Sequence, residues 1–152
     1  MPKIDLSTAP RRGGSRYPAP MNAPCKERSW IELAGAAGLT LVGVNLLTLP
    51  AGQWSSQRHW HADEDEFVWV VSGEVVLVEN DGETVLRAGD CAAWKAGVAD
   101  GHHLQNRSDA DAVLLQVGNP SNVATEWVDY PDIDLCLRPG RGVYLHKDET
   151  PY

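Results

Sequence analysis

An all-β fold, a barrel or sandwich of short antiparallel strands, is what this sequence predicts. From Leu39 onward, runs rich in β-branched and aromatic residues alternate with turn signals. Asn80-Asp81-Gly82, between two valine-rich runs, is a strong hairpin turn, because Asp-Gly accepts the positive φ that tight hairpins require. The one helix start, the capping box Ser29-Trp30-Ile31-Glu32 ahead of Leu33-Ala34, is cut short by Gly35 and Gly38 and supports a single turn.

Taken in order, residues 1–25 are rich in proline and glycine, keep no steady apolar period and read as an irregular arm. Residues 26–120 carry the barrel. Its strands are expected at Thr40–Leu49, Ser56–His61, Glu66–Ser72, Glu74–Glu79, Glu83–Leu86, Cys91–Trp94, His102–Asn106 and Ala112–Val117. Ser72-Gly73 and Ala88-Gly89-Asp90 mark two further reversals. After Gly118-Asn119-Pro120 the character changes, and 121–152 reads as a tail packed on the barrel or on a partner subunit.

A chain of 152 residues suits one domain with a sizeable core. Its formal charge of −8 argues against a nucleic-acid surface. Ala34 to Gly52 runs nineteen residues without a charge, but four glycines, Asn45 and Pro50 break it into buried strands rather than a membrane span. No export signal is visible, and three widely spaced cysteines form no CxxC pair, so a soluble protein of the reducing cytoplasm is expected.

The chemistry concentrates at His59-Trp60-His61. Two histidines at i and i+2 share one face of a strand, while Trp60 points the other way. Glu66 can return to that face from the next strand, because it opens the apolar run Phe67–Val71; Asp63, Glu64 and Asp65 are assigned to a solvated turn. His102 shares its parity with Leu104 and Asn106, and is preferred to His103 as a third imidazole. Three imidazoles and a carboxylate suit one divalent transition ion, with Fe, Mn, Ni, Co, Cu and Zn equally acceptable and Ca and Mg disfavoured. Gln57 has the parity of His59, and Trp69 and Trp94 are aromatic candidates for the pocket wall, so these three are the expected substrate contacts. Cys91 is expected to be a small buried thiol.

These residues also carry a family resemblance. Gly52-(x6)-His59-x-His61-(x4)-Glu66-(x6)-Gly73 resembles the first cupin motif, and Gly89-(x5)-Lys95-x-Gly97-(x4)-His102-(x3)-Asn106 resembles the second. The chain departs from the family by one extra residue before His59, by Lys95 in place of a proline, and by four rather than two residues before His102; all three changes fall in turns. The resemblance, to the small single-domain cupins in particular, implies a jelly-roll barrel (a double-stranded β-helix) with a metal in its mouth, and a homodimer.

Such a centre attracts a small oxygen-rich ligand, a sugar or an organic acid. Two functions follow. One is a metal-dependent enzyme catalysing isomerisation or oxygenation; the alternative is a non-catalytic module that binds or senses the same ligand. An isomerase needs a general acid or base beside the metal, and none is evident in the sequence. A third role, a metal that serves only to stabilise the fold, is compatible with the same ligands.

Overall fold

The computed structural model describes residues 3–120 and 122–152. Its strands are β1 Arg11–Gly13, β2 Ser29–Glu32, β3 Gly43–Leu49, β4 Trp60–His61, β5 Glu66–Ser72, β6 Glu74–Glu79, β7 Gly82–Arg87, β8 Cys91–Trp94, β9 His103–Gln105, β10 Ala112–Gly118, β11 Val128–Tyr130 and β12 Leu135–Leu137. One α-helical turn, α1 at Leu33–Ala36, and one 3-10 turn at Ala23–Cys25 complete the regular structure of the described residues. No helix among them is long and apolar enough to cross a membrane.

The strands form a six-stranded sheet in the order β1-β2-β3-β10-β5-β8, facing a three-stranded sheet in the order β7-β6-β9; a small third sheet joins β12, β11 and β4. The all-β jelly-roll expected from the sequence is thus observed. Alternation explains the core. Val68 and Val70 of β5 point inward, as do Leu47 and Leu49 of β3 and Ala112 and Leu114 of β10; they meet Val75 and Leu77 of β6, Leu86 of β7 and Leu104 of β9. The Asp-Gly turn sits between β6 and β7, where Glu79 pairs with Gly82.

Gly73 makes the reversal from β5 to β6 possible. Its φ is +80°, and a Cβ there would lie 2.8 Å from both Ala112 Cα and Asp111 O, so the β10 backbone passes where a side chain would stand.

Both ends of the chain differ from expectation in detail. Ser29–Glu32 is a strand, not the start of a helix: Trp30 and Ile31 pair with Leu47 and Leu46 of β3, and no side chain caps the short helix that follows. Pairing against an existing sheet outweighs the capping signal at four residues. The N-terminal arm, expected to be irregular except where it docks, contributes β1, which pairs with β2 and extends the large sheet. A second apolar cluster then seats this arm on the C-terminal residues, with Tyr17 and Cys25 packed against Val128, Tyr130 and Leu135. Ser56–His61 is strand only at Trp60–His61; His59 makes an isolated bridge with His102. All three cysteines are free thiols, and Cys91, expected to be buried, is exposed.

Candidate metal centre

His59, Glu66 and His102, from three different stretches of backbone, line one cavity of about 150 Å³, and His61 stands behind them against Glu66. That volume is below the roughly 300–1,000 Å³ of sites for drug-sized ligands, so the cavity suits a small molecule. One donor atom from each of His59, His61 and Glu66 lies within 4.8 Å of the others. Glu66 Oε2 is 3.7 Å from His61 Nε2 and 2.8 Å from His102 Nε2. The four residues singled out in the sequence are therefore neighbours in space.

Hydrogen bonds orient the rings. His59 Nδ1 lies 2.8 Å from the Gln57 carbonyl and His102 Nδ1 lies 3.2 Å from the Asp100 carbonyl. A carbonyl oxygen only accepts, so both Nδ1 atoms donate and each neutral ring leaves Nε2 with a free lone pair. His102 Nε2 stands 2.8 Å from Glu66 Oε2. Such a contact requires a proton or a cation. A transition ion bonded at about 2.0–2.2 Å, with its donors at right angles, places neighbouring donors about 3 Å apart; the Glu66–His102 pair matches this at 2.8 Å and the Glu66–His61 pair is wider at 3.7 Å. The donor set and its spacing fit a divalent transition metal.

Packing holds these groups in place. Trp94 lies flat on His102, with ring centroids 3.9 Å apart and planes 5° from parallel, and its Nε1 donates to Glu79 at 2.8 Å. Tyr130 stacks on His59 at 5.6 Å. His103 also borders the cavity, but both its ring nitrogens are engaged: Nδ1 donates to the Ser56 carbonyl at 2.9 Å, and Gln105 meets its Nε2.

Trp94 is thus in the cavity wall, whereas the other two expected substrate contacts are not. Trp69 projects from the opposite face of β5, because the inward positions of that strand are Glu66, Val68 and Val70; it is 46% exposed. Gln57 is buried, but its Nε2 donates to the Met21 carbonyl at 2.6 Å, so it ties down the N-terminal arm and does not face the pocket. The parity that linked it to His59 does not operate, since residues 55–58 are not in a strand.

Glu64, assigned to a solvated turn, is instead part of the site. It lines the cavity, and its Oε2 is 3.4 Å from His61 Nδ1. Room for it comes from Gly118: a Cβ at that position would stand 2.6 Å from Glu64 Oε1. A glycine in strand β10 was the available signal, since a strand glycine marks a close approach of another group.

Burial and neighbouring charge set the protonation of the cluster. Burial pushes His59 down to about 3 and lowers His61. Glu66 is held at about 2: burial opposes its charge, but the His102 hydrogen bond and the three imidazoles outweigh it. Burial, with Glu66, Asp63 and Glu126 adding repulsion, raises Glu64 to about 8.

These shifts oppose one another in part. The unfolded chain takes protons that folded His59 and Glu66 refuse, so both contribute stability that is lost as pH falls, His59 from 6.5 towards 3 and Glu66 from 4.5 towards 2. Glu64, raised in the fold, contributes stability that is lost as pH rises from 4.5 to 8. Thermal unfolding of the metal-free protein should therefore lose Tm more steeply between pH 4.5 and 3, where Glu64 no longer opposes the histidines and Glu66 adds to them, than between 6.5 and 4.5. A Tm that held steady to pH 3 would contradict this assignment of charges.

Comparison with known proteins gives the family. The cupin-domain family model matches residues 45–118. A sugar phosphate isomerase from a cupin superfamily, from Silicibacter pomeroyi, is 43% identical over 99% of this chain and 96% of its own, with a TM-score of 0.92. The chain is a cupin. A putative sugar phosphate isomerase from Acidithiobacillus ferrooxidans aligns with this cupin at 25% identity over 83% of the chain and 80% of its own, with a TM-score of 0.72. A predicted oxalate decarboxylase from Thermotoga maritima shares the cupin fold at 21% identity and a TM-score of 0.60, over 78% of this chain and 99% of its own. No curated protein matches the cupin at a significant level.

Proposed function

We propose that this cupin is a metal-dependent isomerase of a small, oxygen-rich molecule of the sugar class. The observation that carries the reading is Glu64: a second carboxyl group stands on the cavity wall beside the histidine cluster. His59, His61, Glu66 and His102 would hold the divalent ion, which when bound supplies Lewis acidity to a carbonyl oxygen. The names carried by the Silicibacter pomeroyi and Acidithiobacillus ferrooxidans proteins support the same reaction class.

Aldose–ketose interconversion needs a group that takes a proton from one carbon and returns it to the next, while a hydroxyl proton passes between the two oxygens. Glu64 would do this work as the carboxylate, the form it takes as pH rises through about 8, so exchange should climb over that range. Neutral donors and acceptors on the same wall, Asn45, Ser56, Gln116 and Asn119, are suited to hydroxyl groups. Trp94 and Phe67 supply apolar surface for the carbon skeleton.

The test is Glu64→Gln, which keeps the shape and removes the base. Incorporation of deuterium from heavy water into the sugar, read by NMR, should fall by about 100-fold or more, while metal content by elemental analysis stays at the wild-type level. Unchanged exchange would overturn the assignment. Loss of metal alongside activity would overturn it too, since Glu64 would then serve only to orient His61.

A further inference from the structure

We infer that the N-terminal arm is a positioning element of the metal centre: its docking orients His59, and ion binding in turn fastens the arm. The inference goes beyond the isomerase reading and shares with it only the premise that His59 is a ligand.

His59 needs outside support because no sheet carries it. It makes an isolated bridge with His102, and residues 55–58 ahead of it are not in a strand. The direction of its ring therefore depends on what packs and hydrogen-bonds around it. Two supports flank the ring, and both lead to the arm.

The first runs through Gln57. Its main-chain carbonyl accepts the His59 Nδ1 proton at 2.8 Å, which sets the tautomer that leaves Nε2 free to bind. The Gln57 side chain is buried, and its Nε2 donates to the Met21 carbonyl of the arm at 2.6 Å. Nearby, the Trp54 amide donates to the Pro24 carbonyl at 2.7 Å, and the Glu27 amide, just past the arm, donates to Gln53 Oε1 at 3.0 Å. The stretch that leads into His59 is thus laced to the arm at several points.

The second support is Tyr130, a buried residue of the tail whose ring stacks on His59 with planes 26° apart. Tyr17 of the arm meets Tyr130 edge to face, with ring centroids 5.7 Å apart, and both pack with Cys25 and Leu135 in one apolar cluster. The same tail holds His61: β4 pairs with β11, with His61 opposite Val128, and the Ala62 amide donates to the Trp127 carbonyl at 3.0 Å. Arm, tail and two of the four ligands form a packed unit separate from the core of the barrel.

Undocking of the arm would release Gln57 and Tyr130 together, and His59 would lose its aim. A centre whose ligands wander binds its ion weakly. Linkage makes the effect mutual, so whatever the arm adds to ion affinity the ion adds to arm docking.

The experiment is titration of the full-length protein with cobalt(II), whose visible absorption bands report the number and arrangement of its ligands. Tyr17→Ala should weaken cobalt binding about fivefold or more and alter the bands at saturation. Tyr17→Phe, which keeps the ring against Tyr130, should restore both. Gln57→Met, which keeps length and loses the bond to Met21, should weaken binding in the same sense. Leu114→Ala, in the barrel core, lowers stability without touching the arm and should bind cobalt within about twofold of wild type. In the wild-type protein, with no substitution, cobalt should slow amide hydrogen exchange in residues 11–25.

Wild-type cobalt affinity in Tyr17→Ala would overturn the inference, as would exchange in the arm that cobalt does not change. Equal losses in Tyr17→Ala and Leu114→Ala would overturn it too, since general loosening would account for both. Each of these results leaves the isomerase reading intact. A wild-type protein that binds no cobalt would overturn the four-ligand reading, and this inference with it.

Discussion

Replacing His61 by alanine should strip the protein of its metal and leave the barrel folded. His61 Nε2 faces Glu66 at 3.7 Å, and its side chain is 12% exposed. It belongs to neither apolar cluster, so its loss opens no gap in the packed interior. The hydrogen bonds that fix His59 and His102 run to backbone carbonyls and do not pass through His61. The three remaining donors would keep their places but lack the fourth. Even loss of a group that merely orients a ligand costs about 10–100-fold in affinity, so removing a ligand should cost at least about 100-fold. Elemental analysis should show depleted metal beside an unchanged β signal in circular dichroism. Wild-type metal content in this variant would mean that His61 is not a ligand.

Leu114→Ala should have the opposite profile, with the donor groups intact and the fold weakened. Leu114 is fully buried at the centre of the six-stranded sheet, where it pairs with Leu47 of β3 and Val70 of β5. It faces the apolar interior formed with β6, β7 and β9. Hydrogen-bonded strands flank it on both sides, β3 in unbroken register and β5 with one register shift beside Leu114, so the walls cannot close over the missing methyl groups. The expected loss is about 2–5 kcal/mol, corresponding to a fall in Tm of about 5–15 °C for a domain of this size. Denaturant unfolding should show a lower midpoint with an unchanged slope. A loss under about 1 kcal/mol would mean that the interior relaxes far more freely than close packing allows.

Much of this architecture was readable because the central strands have one face in the core. Val68 and Val70 alternate with exposed Trp69 and Val71, and the same period places Glu66 on the inner side. That alternation also marked Trp69 as outward-facing, although its aromatic character suggested a pocket residue. Strand β2 was hidden because Ser-x-x-Glu satisfies a helix signal locally, and only β3, distant in sequence, reveals its pairing. Strands β11 and β12 are three residues each, too short to show a period.

The site divides in the same way. His59, His61, Glu66 and His102 stood out through spacing and strand parity, and in the folded chain they lie together. Glu64 did not stand out, because a run of acidic residues reads as a solvated turn; its burial depends on Gly118, more than fifty residues further along. Gln57 shows the converse, a residue on the expected parity in a stretch that is not a strand.

The histidine bridge between His59 and His102, with Glu66 supplied by the opposing sheet, has a kinetic consequence. None of these groups is brought together by local structure, so a partly folded chain offers only scattered, weak donors. Topologies dominated by pairings remote in sequence assemble slowly, and a competent centre appears only when the last seam has zipped. Acquisition of the ion would accordingly time the end of folding, and premature capture of a wrong cation by a nascent chain is disfavoured by the order in which the pieces meet.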